Sequence, residues 1–292
     1  MSDDPILYTL ETAPPAITAL STCDGRVVGH VDARWGTPDG IWVDQAAGQI
    51  TWTNMGADWE APDGTIERAR LDGSQHEILV GKGQIVTPKQ LAVDQPGGHL
   101  YWCDREGMRI MRSALDGTAV EVLLKRGDYP QDMPDFSRQC VGIALDLVNR
   151  QIYWTQKGSP KGGIGRIFRM PMAMADGADP ADRHDIEILA DHLPEPIDLH
   201  VFPGSGHLYW TDRGAPPDGN SLNMARIDRR GLFDRKVILR GLDEGIGLAI
   251  DKAEKQAFVS DLGGTIRVVD LETGESRVLR QQSATTGVYL VE

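Results

Sequence analysis

Apolar residues along this chain come in short runs, alternating with polar ones and broken by Gly, Pro, Asn or Asp. Runs of roughly four to eight residues with period two, bounded by turn residues, are the strand signal. The pattern also recurs. GIWVDQAAGQITWTN (40–54), QLAVDQPGGHLYWCD (90–104), GIALDLVNRQIYWTQ (142–156), PIDLHVFPGSGHLYWTD (196–212) and GLAIDKAEKQAFVSD (247–261) share one plan, the fourth read with two extra loop residues. Trp52, Trp102, Trp154 and Trp210 mark one position, Val259 holds it in the last copy, and the spacings are 50, 52, 56 and 49 residues.

Each unit predicts four strands. The first is a short apolar run ending near Asp, and the second carries the Tyr-Trp pair. The third alternates and often ends in Asp-Gly, as at Asp72-Gly73 and Asp116-Gly117, a strong hairpin signal. The fourth is short and aliphatic, as in 78–80 and 122–124. Four short antiparallel strands repeated at this period predict an all-β fold, a β-propeller. The ends complete the count. Residues 6–11, 17–21 and 26–31 supply second, third and fourth strands, and GVYLV at 287–291 supplies the missing first. The expectation is therefore a single six-bladed propeller, with blades at 38–87, 88–138, 139–192, 193–243 and 244–282, and a sixth formed by 283–292 with 1–37. Splitting a blade between the termini leaves no open radial edge.

LYWCD (100–104), IYWTQ (152–156) and LYWTD (208–212), with LDG turns at 71–73 and 115–117, resemble the YWTD propeller of the low-density lipoprotein receptor class. The resemblance covers essentially the whole chain and implies six blades. More loosely, the chain is similar to the six-bladed group of gluconolactonase-type hydrolases and strictosidine synthase. The receptor propellers bind proteins outside the cell, beside EGF modules. No such module, paired Cys or signal peptide is read here, so the receptor function is not expected to follow from the fold alone.

Composition narrows the picture further. Forty-three acids against 30 bases give a net charge of −13, and no basic stripe is present, which disfavours nucleic acid as a partner. No apolar run approaches membrane-spanning length. Acids at the N-terminus and only three scattered Cys (Cys23, Cys103, Cys140) make a cytoplasmic location the expectation. A homo-oligomer remains open.

Propeller sites lie at one end of the central channel, where inner strands begin and second strands end. The residues to read there are Asp39, Lys89, Arg138, Cys140, Glu195 and Glu244. Blade four departs from its siblings: Ala92, Ala144 and Ala249 are read as mid-strand residues where it carries Asp198, and His200 is read at the usual Asp position. A carboxylate in such a place costs desolvation unless it is paired or binds something. Asp198 and Glu195 are thus the candidate catalytic acids. Gluconolactonase-type propellers hold a divalent cation with carboxylates and an Asn from different blades. By that resemblance Asp39, Glu195, Asp198 and Glu244 could offer oxygen ligands to calcium or magnesium. Arg105, Arg213 and Lys89 are candidate clamps for an anionic substrate, and Trp59 and Tyr129 candidate walls on long loops. Neither a GxSxG elbow nor a nucleotide cofactor is predicted, since the Gly-rich 157–166 is not expected to open a helix. The Trp and Tyr of each repeat are read as packing between blades. The ring Glu11, Asn54, Asp104, Gln156, Asp212 and Asp261 is read as bonding backbone at blade junctions. The leading expectation is a small-molecule site with hydrolase or lyase/isomerase chemistry; the alternative is a non-catalytic interaction platform.

Overall fold

The computed structural model describes residues 4–292. Six four-stranded antiparallel sheets form the blades of a propeller. From the axis outward, blade one is Pro38–Asp44, Gln49–Asn54, Thr65–Arg70 and Glu77–Val80. Blade two is Pro88–Asp94, His99–Asp104, Arg109–Ala114 and Glu121–Lys125. Blade three is Ile143–Asp146, Gln151–Gln156, Gly165–Pro171 and Glu187–Leu193. Blade four is Pro196–Phe202, His207–Asp212, Ser221–Asp228 and Gly231–Arg240. Blade five is Gly245–Ile250, Gln256–Asp261, Thr265–Asp270 and Ser276–Gln281. Blade six joins the C-terminal Thr285–Val291 to Ile6–Thr12, Pro15–Ser21 and Val27–Asp32. Its closing register runs from Ile6 opposite Val291 to Glu11 opposite Thr285.

Between blades, the Trp side chains of the second strands are fully buried. Trp154 stacks on Phe168 of its own third strand, with ring centroids 4.9 Å apart. The motif's Thr explains how neighbouring blades are fastened. Each of four inner strands bulges just after its start. A bulge leaves a backbone N–H without a ladder partner, and a buried N–H must find one. Gly40 N–H donates to Thr53 Oγ1 at 2.7 Å, and that hydroxyl donates onward to Lys89 O of blade two at 2.7 Å. Thr155 links Gly142 to Ile197, Thr211 links Asp198 to Ile246, and Ser260 links Gly247 to Thr286 in the same way. Thr286 Oγ1 donates to Pro38 O and closes the ring. In blade two Cys103 replaces Thr, and its thiol donates to Gly142 O at 3.4 Å.

Close approach explains the glycines at the start of the inner strands. A Cβ on Gly142 would lie 2.1 Å from Ile197 O, and one on Gly247 2.4 Å from Thr286 O. The fold thus presents two faces. Longer loops, 55–64, 126–142, 157–164 and 213–220, lie on the face where inner strands begin, hereafter the loop face. The tight inner-to-second turns lie on the opposite, turn face.

Candidate functional site

The motif's fourth position pins the loops that lead to the axis in four blades, through Asn54, Asp104, Asp212 and Asp261. The expected ring fails at Gln156, whose buried amide has no partner, and at Glu11, which accepts side-chain hydroxyls of Thr18 and Ser283. Asn54 Oδ1 accepts from Thr37 N and Gly56 N, Asp104 Oδ1 from Val86 N and Thr87 N, and Asp212 Oδ1 from Glu195 N and Gly214 N. These side chains place the next residues over the loop-face end of the channel.

The charges gathered there satisfy one another. Asp39, fully buried, is paired with the equally enclosed Lys89, and Gln90 Nε2 donates to its other oxygen at 3.3 Å. Burial pulls the Lys89 ammonium below its ordinary pKa, against the opposing pull of Asp39. Glu195, also buried, accepts from Lys157 Nζ at 3.3 Å and pairs with Arg213 at 3.1 Å. Arg213 reaches on to Glu244 at 3.4 Å. Lys157 is likewise lowered by burial more than Glu195 raises it. Arg105 pairs with Glu106 at 2.6 Å and lies under the Trp59 ring, 5.5 Å from its centroid.

Several expectations are corrected by this arrangement. The four predicted metal ligands do not converge. Asp39 is committed to Lys89, Glu195 to Lys157 and Arg213, Glu244 to Arg213, and Asp198 to backbone N–H groups. Among the described residues no group of three or more His, Cys, Asp or Glu is arranged to hold a metal ion. The predicted clamps Lys89, Arg105 and Arg213 are each spent on a carboxylate. Arg138 binds Asp135 at 2.9 Å and Arg126 O at 2.7 Å within its own loop. Cys140 does not face the channel. It is fully buried in the apolar cluster with Tyr101, Cys103 and Ile143, and burial pushes its thiol up to about 12, too high for a nucleophile at neutral pH. Tyr129 donates to Glu60 O at 2.6 Å, tying two rim loops together, and it lines a shallow rim pocket with Arg109 and Lys125 rather than the axial channel.

Asp198 needs a different account from the one its sequence suggested. Leu199 opposes Trp210 just as Ile41 opposes Trp52, Leu91 opposes Trp102, Ile143 opposes Trp154 and Leu248 opposes Val259. Blade four therefore has no insertion. Asp198 stands where its siblings have Gly40, Gln90, Gly142, Gly247 and Gly287. His200 aligns with Ala92, Ala144 and Ala249, and Phe202 takes the turn Asp. A strand slipped by two keeps its facing, so the error left Asp198 on the channel side but misjudged its depth. Its Oδ1 accepts Leu199 N and its Oδ2 accepts Leu248 N of blade five, both at 2.9 Å. Burial nevertheless raises it to about 7.

A cavity of about 360 Å³ runs along the axis, lined by Asp198, Gln90 and the alanines of blades two, three and five. It is continuous with His200, Phe202, Lys252 and Glu292, so it opens on the turn face, not on the predicted mouth. His200 stacks on Phe202 at 4.8 Å, and burial lowers it to about 4, so it is neutral at pH 7. Sequence reasoning put His200 at the turn Asp position and passed over Phe202; aligning every copy backward from its Trp would have placed both on the channel. A larger cleft of about 470 Å³ lies off-axis between blades three and four. Its Arg169 is spent on Glu187 at 2.5 Å and on Asp228 O at 2.9 Å.

No protein-family model matches the chain. A protein of Pyricularia oryzae named low-density lipoprotein receptor-related protein 1 is 43% identical, over 98% of this chain and 97% of its own length. The Cochliobolus heterostrophus 3-hydroxyacyl-CoA dehydrogenase-like protein LAM1 is 39% identical over 87% of the chain, which spans only 56% of that relative. Among solved structures, a chain of a nidogen/laminin complex aligns with TM-score 0.74 at 20% identity, over 98% of both chains. TolB from Acinetobacter baumannii aligns at 0.67 with 10% identity, over 98% of this chain and 66% of its own. Repeat, ring closure and relatives agree, and the chain belongs to the YWTD, or low-density lipoprotein receptor class B repeat, family of six-bladed β-propellers.

Proposed function

We propose that this propeller is a non-catalytic protein-interaction module that docks its partner on the loop face over blades one to three. One observation carries the reading. Trp59, Phe136 and Ile164 are exposed (47%, 41% and 42%) on three neighbouring rim loops. Cations hold the two aromatics in place: Arg105 underlies Trp59, and Lys157 lies 5.5 Å from the Phe136 centroid. Tyr129 joins the first two loops. Preorganised aromatics beside Arg and Lys are the usual anchors of a protein interface. The receptor-related name of the Pyricularia relative agrees with it.

Chemistry on a small anion at the same face is the weaker reading. It needs a free base, nucleophile or clamp, and each residue expected in those roles is paired or buried. The second relative's dehydrogenase-like name finds no dinucleotide cradle among the described residues. The Gly-rich 157–166 runs into the strand Gly165–Pro171 rather than a helix.

The test is cross-linking mass spectrometry on the full chain, comparing wild type with Trp59→Ala/Phe136→Ala and with Val148→Ala on the turn face. A partner cross-linked through Lys161 should be lost only in the double variant. A partner kept by the double variant, or turnover of lactone substrates by the wild type, overturns the proposal.

A further inference from the structure

The axial cavity carries a second inference, on the opposite face and independent of the loop patch. Its bore stays open because three of six inner strands place alanine there, Ala92, Ala144 and Ala249. Side chains such as Leu91, Ile143 and Tyr289 make the walls, and Ile250 and Phe202 stand nearer the opening. The exposed Lys252–Glu292 pair, 3.7 Å apart, borders that opening. At the inner end lies Asp198, buried, at a bulge position that four sibling blades fill with glycine. A volume of this size with apolar walls and one or two convergent polar groups is the usual form of a small-ligand site.

We propose that the channel, entered from the turn face, binds a cation carried on a slim apolar stem, a free alkylamine or the side chain of a lysine, with Asp198 as its counter-ion.

Charge counting at the inner end sets the sign of the ligand. Asp39 of blade one and Lys89 of blade two are near enough to act on Asp198 electrostatically, in opposite senses, and Lys89 is already paired with Asp39. With Arg105 and Glu106 paired to each other beside Lys89, that leaves three carboxyl groups to two cations, and Asp198 is the one without a cationic partner. Cys103 of blade two is a buried thiol raised well above its ordinary value, and His200 on the same strand as Asp198 is neutral. Blade five offers no titratable group on its inner strand, Gly245–Ile250. Asp146 of blade three and Tyr289 of blade six stand further toward the turn face. Each Asp198 oxygen accepts one backbone N–H and keeps a second lone pair for a ligand. The two N–H donors fix the carboxyl group, so a ligand finds it pre-oriented. An anion would meet the uncompensated acid and a protein of net charge −13.

Isothermal titration of the purified chain at one pH and ionic strength, with n-hexylamine, 1-hexanol and hexanoate, tests the proposal. Hexylamine should bind at least about tenfold more tightly than hexanol, the worth of one charge-assisted hydrogen bond in an enclosed site, and hexanoate should not bind. Asp198→Asn should erase that preference. Ala92→Leu, which narrows the bore without touching the carboxyl group, should weaken amine and alcohol together, and it carries the test if Asp198→Asn does not fold. Nα-acetyl-lysine methylamide separates the sources: binding assigns a lysine side chain, its failure beside hexylamine a free amine. Equal binding of hexanoate and hexylamine, no binding of any probe at millimolar concentration, or Ala92→Leu binding as wild type overturns the proposal.

Discussion

Replacing Lys89 by Met decides whether the loop-face charges are a structural plug or a working site. Both partners of the Lys89–Asp39 pair are buried, and without the ammonium Asp39 keeps only Gln90 Nε2 at 3.3 Å. Breaking a buried pair from one side costs about 3–5 kcal/mol, because the remaining charge is left uncompensated. For a chain of 292 residues, an unfolding entropy of about 2.1 cal/mol/K per residue comes to about 0.6 kcal/mol/K, so Tm should fall by about 5–8 °C. Adding Asp39→Asn removes the stranded charge, and the double variant should return to within about 1–2 kcal/mol of wild type. Calorimetric melts of wild type, Lys89→Met, Asp39→Asn and the double variant complete the cycle. A Lys89→Met protein that melts with wild type, or a double variant no better than Lys89→Met, would refute the idea that the pair is held for structure.

Asp212 gives a pH-dependent counterpart. Burial raises it to about 7, and its Oδ2 has no hydrogen-bond partner. The folded chain thus holds this proton where the unfolded chain has lost it. That contribution is fully present below the unfolded value of 3.8 and is lost as pH rises toward about 7. Asp212→Asn mimics the protonated acid, so its stability relative to wild type should climb by on the order of 2 kcal/mol between about pH 5 and pH 7 and then level. A difference that is flat in denaturant titrations across that range contradicts the burial argument. Alkylation of the native protein with iodoacetamide should label the exposed Cys23 and spare Cys103 and Cys140, which are buried; mass-mapped modification of Cys140 before unfolding would restore it as a reactive thiol.

Much of this protein is written locally. Period-two alternation, Asp-Gly turns and the Tyr-Trp strand specify each blade from within about 50 residues. Matching the two chain ends by the same grammar yields the split sixth blade. The packing role of Trp52, Trp102, Trp154 and Trp210 and the bonding role of Asn54, Asp104 and Asp212 were also legible, because strand pairing and turn hydrogen bonds join near neighbours. The tertiary structure alone decided which charges meet. Asp39 finds Lys89 fifty residues away, Glu195 finds Lys157 and Arg213 from two blades, and Asp198 reaches Leu248 across a blade junction. Ring closure sets those distances, and no local spacing encodes them. For the same reason the sequence pointed to the loop-face mouth, where polar residues cluster, while the open volume lies toward the turn face, where small side chains from separate blades leave the axis unfilled.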